Sequence, residues 1–255
     1  MRRVMCIAAI LWLIFFSFCH KASEEKKNAK RANKIVCVLF DLSQSTNTQQ
    51  IREAYARDFC TVLSKMHGGD AVVAALITEK SISELDFCIQ NSFPAFHPTT
   101  DNPMYLEAER QEHERKTKSL KDSLQKVADS TLKSYRQKIM RTEIMSALHV
   151  AERVCKSYPQ QNKILLIMSD MIEDSDLYNF ARENLTEART SEIIRREIEN
   201  HRLPDLKNVC VYVTGAMAKT DQFYKVRNFW ISYMQECGGA LVIENYGGPL
   251  VSFEE

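Results

Sequence analysis

A carboxylate and two hydroxyls at alternating positions are the first group in this sequence that could do chemistry. Asp41, Ser43 and Ser45 follow directly after the apolar run 35–40. Hard cations such as Mg²⁺ prefer oxygen ligands in an octahedral array. In open α/β sheets, ligands bind at the carboxyl ends of the strands, where this turn is expected. The spacing therefore indicates a cation site, and the alternative is that Ser45 or Thr46 only caps the next helix.

Two further oxygen-bearing residues are expected at the same edge of the sheet. Asp170 comes just after the apolar run 164–168, and Thr142 directly precedes a predicted helix over 143–155. Thr142 could supply a third hydroxyl, or it could be a plain helix N-cap. The predicted site has five members, in chain order Asp41, Ser43, Ser45, Thr142 and Asp170.

This pattern resembles the metal-ion-dependent adhesion site of von Willebrand factor A domains. The matching stretches are Asp41-x-Ser43-x-Ser45, the segment from Thr142 to Leu148, and Asp170 after its apolar strand. Residues 209–215 and 229–240 resemble the closing strand, helix and strand of that family. The resemblance spans about residues 34–247, apart from an insertion.

The resemblance implies how a metal would be held and used. Ser43, Ser45 and Thr142 would contact the cation through their hydroxyls, while Asp41 and Asp170 would hold it largely through water. The metal would be Mg²⁺, or else Mn²⁺ or Ca²⁺, and an acidic residue of a protein partner would take the sixth position.

The sequence departs from the family around this site. Arg141 and Met171 stand where the family often has Gly, and Arg141 could repel a cation or recruit the partner's acid. Glu173, Asp174 and Asp176 follow closely. They could add negative field around the metal, but a solvated loop is the interpretation we favour.

The fold class follows from hydrophobic patterning. Continuous apolar runs, typical of strands buried on both faces, alternate with amphipathic segments. This predicts an α/β domain with a doubly wound, mostly parallel, Rossmann-like sheet. The predicted strands are 35–40, 71–78, 84–90, 164–168, 209–214 and 240–243. The predicted helices include 49–66, 143–155, 177–200 with a break near 186–190, and 223–236.

A long insertion at about 92–140 interrupts this alternation. Residues 93–103 are a loop punctuated by Pro, and residues 105–140 form a predicted helix with a narrow apolar stripe. The helix could lie along the domain with one face solvated, or it could be a partner-docking arm or a short coiled coil.

The first residues are expected to lie outside the domain. Arg2 and Arg3 precede an apolar run that ends at Phe18, which predicts an export segment over 1–19. Cys19 stands where a bacterial lipoprotein carries its lipid, although Phe18 is a poor residue before it. Residues 20–33 are polar and predict a tether to a domain over 34–255. The predicted location is extracytoplasmic and membrane-anchored, in a bacterial periplasm or at the cell surface, with secretion as the alternative.

Composition excludes some functions and leaves others open. The net charge of +1 gives no electrostatic argument for nucleic acid, which needs many phosphate contacts. The six cysteines after Cys19 could form disulfides in an exported protein, but their apolar settings favour free, buried thiols. The sequence lacks phosphate-binding glycine loops and the common hydrolase motifs.

We therefore expect a metal-dependent protein-binding module rather than an enzyme, with no cofactor other than the metal. One alternative is a metal-free scaffold that binds partners through the inserted helix. A metal-dependent hydrolase is the third possibility.

Overall fold

The structure is a computed structural model and describes residues 32–78, 86–134, 141–216, 220–247 and 250. The predicted export segment, the lipidation site Cys19 and nearly all of the predicted tether lie outside the described residues. The chain divides into Met1–Ala32 and Asn33–Glu255, and the second unit is described below.

Five strands form one sheet in the order β3-β2-β1-β4-β5. The strands are β1 (Lys34–Asp41), β2 (Ala71–Ile77), β3 (Phe87–Ser92), β4 (Asn162–Met168) and β5 (Val209–Thr214). All neighbours pair in parallel except β2 and the edge strand β3, which are antiparallel. The predicted mostly parallel, doubly wound sheet is confirmed.

Six helices accompany the sheet in the described part of the chain. They are α1 (Gln49–Ser64), α2 (Pro103–Ser134), α3 (Ile144–Ser157), α4 (Glu187–Glu199), α5 (Asp221–Glu236) and a short 3₁₀ helix (Ile243–Asn245). The central strand β1 is buried along its whole length, which explains its unbroken apolar sequence. Its alternate residues enter two separate cores, one shared with α1 and α2 and the other with α3, α4 and α5.

The inserted helix α2 lies against the domain along its carboxyl-terminal half. Leu124, Ala128 and Leu132 are buried in the core that α1 also fills. Lys121 and Gln125 donate hydrogen bonds to backbone carbonyls of α1. The described part of the helix therefore supports the first of the two alternatives. Residues 135–140, the end of the predicted helix, lie outside the described residues.

The predicted last strand over 240–243 is wrong. Ala240 makes only an isolated bridge with Cys210, and Tyr246 makes another with Val213. Val242 and Ile243 are about half exposed, so they lack the burial that a further sheet strand would give them. The chain turns instead into the 3₁₀ helix.

The helix predicted over 177–200 is shorter in the structure, where it begins at the break that was predicted near 186–190. Helix α4 begins at Glu187, and the Thr186 side chain accepts a hydrogen bond from the backbone N–H of Arg189. Residues 177–186 form turns that belong to the loop after β4.

The six cysteines of the described residues are free thiols, as expected. Cys37, Cys155 and Cys237 are buried, and burial raises the pKa of each. The other three depart from the expectation of burial, since Cys60 is exposed and Cys88 and Cys210 are half-buried. Among the described residues, no helix combines the length and apolar character that crossing a membrane requires.

Candidate metal-binding site

The turn after β1 brings the first three predicted ligands together. Asp41 ends the strand and is fully buried, and its Oδ1 accepts a hydrogen bond from the Ser43 backbone N–H at 2.9 Å. The Ser43 and Ser45 hydroxyl oxygens lie 3.1 Å apart. Ser43 is buried and Ser45 is exposed, so this hydroxyl pair reaches from the sheet edge to solvent.

The alternative that Ser45 or Thr46 caps the next helix is wrong. The cap of α1 is Thr48, whose side chain accepts a hydrogen bond from Ile51 N–H. The Thr46 hydroxyl donates instead to the backbone carbonyls of Asp41 and Ser43, at 2.8 and 3.1 Å. Thr46 therefore holds the turn closed, and the serine hydroxyls are not used as caps.

The loop after β4 reaches the same place from the neighbouring strand. The Ser169 hydroxyl donates to Asp41 Oδ2 at 2.6 Å, so both carboxylate oxygens of Asp41 are oriented by hydrogen bonds. Burial and the nearby charge of Asp170 raise the pKa of Asp41. Asp170 directly follows Ser169, so its charge lies near the Asp41 turn and disfavours ionisation of Asp41.

Thr142 is fixed beside this loop by its backbone. Its N–H donates to the Asp174 carbonyl at 3.1 Å, and Asp174 N–H donates back to the Thr142 carbonyl at 3.0 Å. Thr142 is buried, and it is not the N-cap of α3, a position that Glu143 holds without a side-chain cap bond. That its hydroxyl joins the other four predicted ligands around one cation stays a prediction.

Glu173 caps α3 in place of a side chain at the N-cap position. Its role corrects the prediction that Glu173 belongs to a solvated loop. Its carboxylate accepts the N–H groups of Ile144 and Met145 at 2.8 and 3.1 Å. The side chain is 1% exposed, and this burial raises the pKa of Glu173 to about 8. Asp176, by contrast, is exposed as predicted, whereas Asp174 is half-buried and accepts a hydrogen bond from the Asn179 amide.

Arg141 and Met171, the two positions that differ from the pattern the sequence resembles, are both engaged in contacts. Arg141 forms an ion pair with Asp176, which partly offsets its charge near the site. Met171 is buried and has a φ of 63°, in the left-handed region that favours glycine. The chain thus keeps a glycine-like backbone at the position where the family often has Gly, but with a large side chain.

Two neighbours of Asp41 were not identified from the sequence. Tyr55 and Arg52 are both buried on α1. The charges of Asp41 and Asp170 reinforce burial in raising the pKa of the Tyr55 hydroxyl. Arg52 donates to the carbonyl of Leu42, inside the Asp41 turn, at 3.2 Å. The pattern of an amphipathic helix predicts which face of the helix is buried. It does not predict which turn the side chains on that face contact.

The donor set fits a hard divalent cation. Adjacent oxygen ligands of octahedral Mg²⁺ are separated by about 3 Å, given metal–oxygen distances of about 2.1 Å, and the Ser43 and Ser45 hydroxyls lie 3.1 Å apart. The described residues contain no group of three or more His, Cys, Asp or Glu side chains placed to hold a metal. A metal here would therefore depend on hydroxyl ligands as well as on the two carboxylates.

Comparisons with known proteins bear on the fold of this chain only. No protein-family model and no curated protein sequence matches this chain. A minor pilin, the D319A mutant of PilB from Streptococcus sanguinis, aligns with a TM-score of 0.50 and 11% identity, covering 86% of this chain and 57% of that one. Proximal thread matrix protein 1 from the mussel byssus aligns with a TM-score of 0.46 and 10% identity, covering 86% and 42%. A von Willebrand factor type A protein from Catenulispora acidiphila aligns with a TM-score of 0.36 and 10% identity, covering 81% and 42%.

The chain thus spans less than two thirds of the length of each of these three structures, from 42% to 57%. At such identities, the likeness to the minor pilin shows a shared fold alone.

Proposed function

We propose that this chain is a metal-ion-dependent protein-binding module that acts on the extracytoplasmic side of a membrane. The observation that carries the proposal is the Asp41 turn, where the Ser43 and Ser45 hydroxyls lie 3.1 Å apart and Ser169, the residue before Asp170, donates a hydrogen bond to the Asp41 carboxylate. A divalent cation would relieve the repulsion between the carboxylates, which otherwise costs stability at this edge of the sheet.

The charge balance explains how such a site would bind a partner. Two carboxylates balance the charge of one divalent cation without exceeding it. Because both would hold the metal through water, an acidic residue of a partner could still bind it directly. Ser45 is exposed, which gives a partner access to one side of the proposed metal. The Ser43, Ser45 and Thr142 hydroxyls would contact the metal, and Asp41 and Asp170 would hold its bound water.

Calorimetric titration of the full chain with MgCl₂, and separately with MnCl₂, tests metal binding. We expect saturable binding by the wild type and its loss in Asp41→Asn and Ser45→Ala. Asp122→Asn, an exposed carboxylate change on α2, is the matched control and should bind as the wild type does. Circular dichroism of each variant separates loss of the site from loss of the fold.

If the folded wild type gives no saturable heat with either metal, the metal-dependent function is wrong. The metal-free scaffold would then be the better hypothesis. Turnover of generic phosphoester or peptide substrates by the metal-loaded chain would instead favour a hydrolase.

Partner binding is tested by capture from membrane extracts with and without EDTA, followed by quantification of the captured proteins. Proteins retained by the wild type should be released by EDTA and should not be retained by Asp41→Asn. If the captured proteins stay bound in EDTA and also bind Asp41→Asn, a metal-bridged contact is ruled out.

The membrane location rests on residues 1–19, and we propose that Cys19 carries a lipid. Mass spectrometry of the chain purified from a bacterial host should find the lipid mass on Cys19, and Cys19→Ser should move the chain from the membrane fraction to the soluble one. An unmodified Cys19 in a membrane-bound chain would instead indicate an uncleaved anchor.

A further inference from the structure

A second site of different chemistry lies between helix α1 and the inserted helix α2. A cleft of about 610 Å³ opens there, a size that suits a small organic ligand. Its charged lining residues are Arg52, Glu53, Arg57, Asp129 and Lys133. Ala56 and Leu132 add apolar surface.

The formal charge of the cleft is positive because its cations outnumber its acidic residues. Arg52, Arg57 and Lys133 supply three cations, against Glu53 and Asp129. The Glu53 carboxylate accepts a hydrogen bond from Gln49, and the Asp129 carboxylate accepts one from the Gln125 amide, each at 2.8 Å.

Arg52 carries unused hydrogen-bonding capacity. Its side chain is 8% exposed, and its Nη2 donates to the Leu42 carbonyl and to the Asn47 side chain, both at 3.2 Å. Within the described residues, its Nε and Nη1 have no hydrogen-bond partner. A buried guanidinium with unpaired N–H groups is costly unless an acceptor completes it.

The N-terminus of α1 adds to this positive environment. Thr48 and Gln49, at the start of the helix, line the cleft, and the first turn contains no acidic residue. The partial positive charge of a helix N-terminus favours anions. The helix end and the incompletely paired Arg52 are independent features that point to the same ligand charge.

We propose that this cleft binds a small organic anion that bears a phosphate or carboxylate group, with Arg52 as the buried anchor and Arg57 and Lys133 as outer contacts. The inference does not require a metal to be bound, although the charge of Asp41 also acts on Arg52. Arg52 also donates a hydrogen bond to the Leu42 carbonyl in the Asp41 turn. An anion bound to Arg52 would therefore be connected to that turn through this one side chain.

Calorimetry on the full chain at low ionic strength, in EDTA, tests the proposal with two probes, inorganic phosphate and succinate. We expect saturable binding of at least one probe, weakened by added NaCl. Arg57→Gln and Lys133→Gln should each raise the dissociation constant roughly two- to fivefold, because each removes one exposed charge. The phosphate and succinate arms decide which acidic group the cleft prefers.

A matched control makes the outcome decisive. Lys118→Gln removes an exposed charge from α2 outside the cleft and should leave anion binding unchanged. Arg52→Gln should abolish binding, and where it fails to fold, the Arg57 and Lys133 variants carry the test. Absence of saturable heat with both probes, or an equal loss in Lys118→Gln, would overturn the proposal.

Discussion

The Ser169 hydroxyl donates to Asp41 Oδ2 at 2.6 Å, although the two residues lie 128 positions apart in the chain. The contact follows from the register of the sheet, since Phe40 pairs with Met168 and the residues that follow them in the chain are Asp41 and Ser169. The same hydroxyl accepts a hydrogen bond from Met171 N–H at 2.9 Å. Ser169 thus orients a predicted ligand and holds the loop that carries another, Asp170.

Ser169→Ala should destabilise the protein by about 1–3 kcal/mol, because it leaves a buried carboxylate oxygen and a buried N–H without their partner. Urea denaturation measures the change in the free energy of unfolding. Ser64→Ala is the matched control, since the exposed Ser64 hydroxyl bonds only to a helical carbonyl, and it should change stability by less than about 0.5 kcal/mol. Equal effects of the two substitutions would show that the Asp41 contact contributes no stability of its own.

The backbone conformation at position 171 should make a Gly variant more stable than an Ala variant, the reverse of their usual order. Met171 is buried, its φ is 63°, and its carbonyl accepts a hydrogen bond from the Trp230 indole N–H at 2.9 Å. Both Met171→Ala and Met171→Gly should destabilise the fold by roughly 2–4 kcal/mol through the lost side chain. The Gly variant should nevertheless be the more stable of the two by about 1 kcal/mol, because Ala is strained in the left-handed region.

Thermal or urea denaturation of both Met171 variants checks that order. Ala108→Gly on the exposed face of α2 is the control, where Gly should be less stable than Ala by about 1 kcal/mol. A Met171→Ala variant more stable than Met171→Gly would contradict the assigned backbone conformation.

Glu173 should make stability depend on pH. Burial raises its folded-state pKa to about 8, above its value in the unfolded chain, so the folded state retains a proton that the unfolded state has lost. The contribution of this group is therefore greatest in acid and is lost as pH rises from about 4.5 to about 8. The slope should be on the order of 1 kcal/mol per pH unit.

Glu173→Gln isolates this contribution, since Gln keeps an acceptor for the α3 N–H groups but does not titrate. We expect the wild type to lose stability relative to Glu173→Gln between pH 5 and pH 8 in urea denaturation. Glu187→Gln, an exposed carboxylate at the start of α4, should show no such trend. A wild type that tracks the Gln variant across this range would mean that Glu173 is ionised throughout.

The inserted helix provides a matched pair of substitutions that tests how it is placed. Leu124 is 7% exposed and Val127 is 41% exposed. Leu124→Ala should cost about 2–4 kcal/mol, whereas Val127→Ala should cost less than about 1 kcal/mol, because only Leu124 leaves a cavity in the core. If both changes are nearly neutral in urea denaturation, the helix projects from the domain instead of packing on it.

The sequence by itself determined the parts of this protein that local pattern controls. Strand β5 lies where its apolar run predicted it, at Val209–Thr214, and the turn after β1 gathers Asp41, Ser43 and Ser45 because their spacing is local. A continuous apolar run is buried on both faces in any parallel sheet, so the fold class could be inferred without contacts.

Only the tertiary structure decided the contacts between distant segments. The sequence could not show that Ser169 bonds Asp41, that Glu173 is buried as the cap of α3, or that Met171 adopts a positive φ, because each depends on strand register and on the packing of another element. The failed strand at 240–243 has the same cause. The edge of β5 was available, but the chain leaves it after the bridge from Ala240 to Cys210, turns into the 3₁₀ helix and meets it again only at the bridge from Tyr246 to Val213.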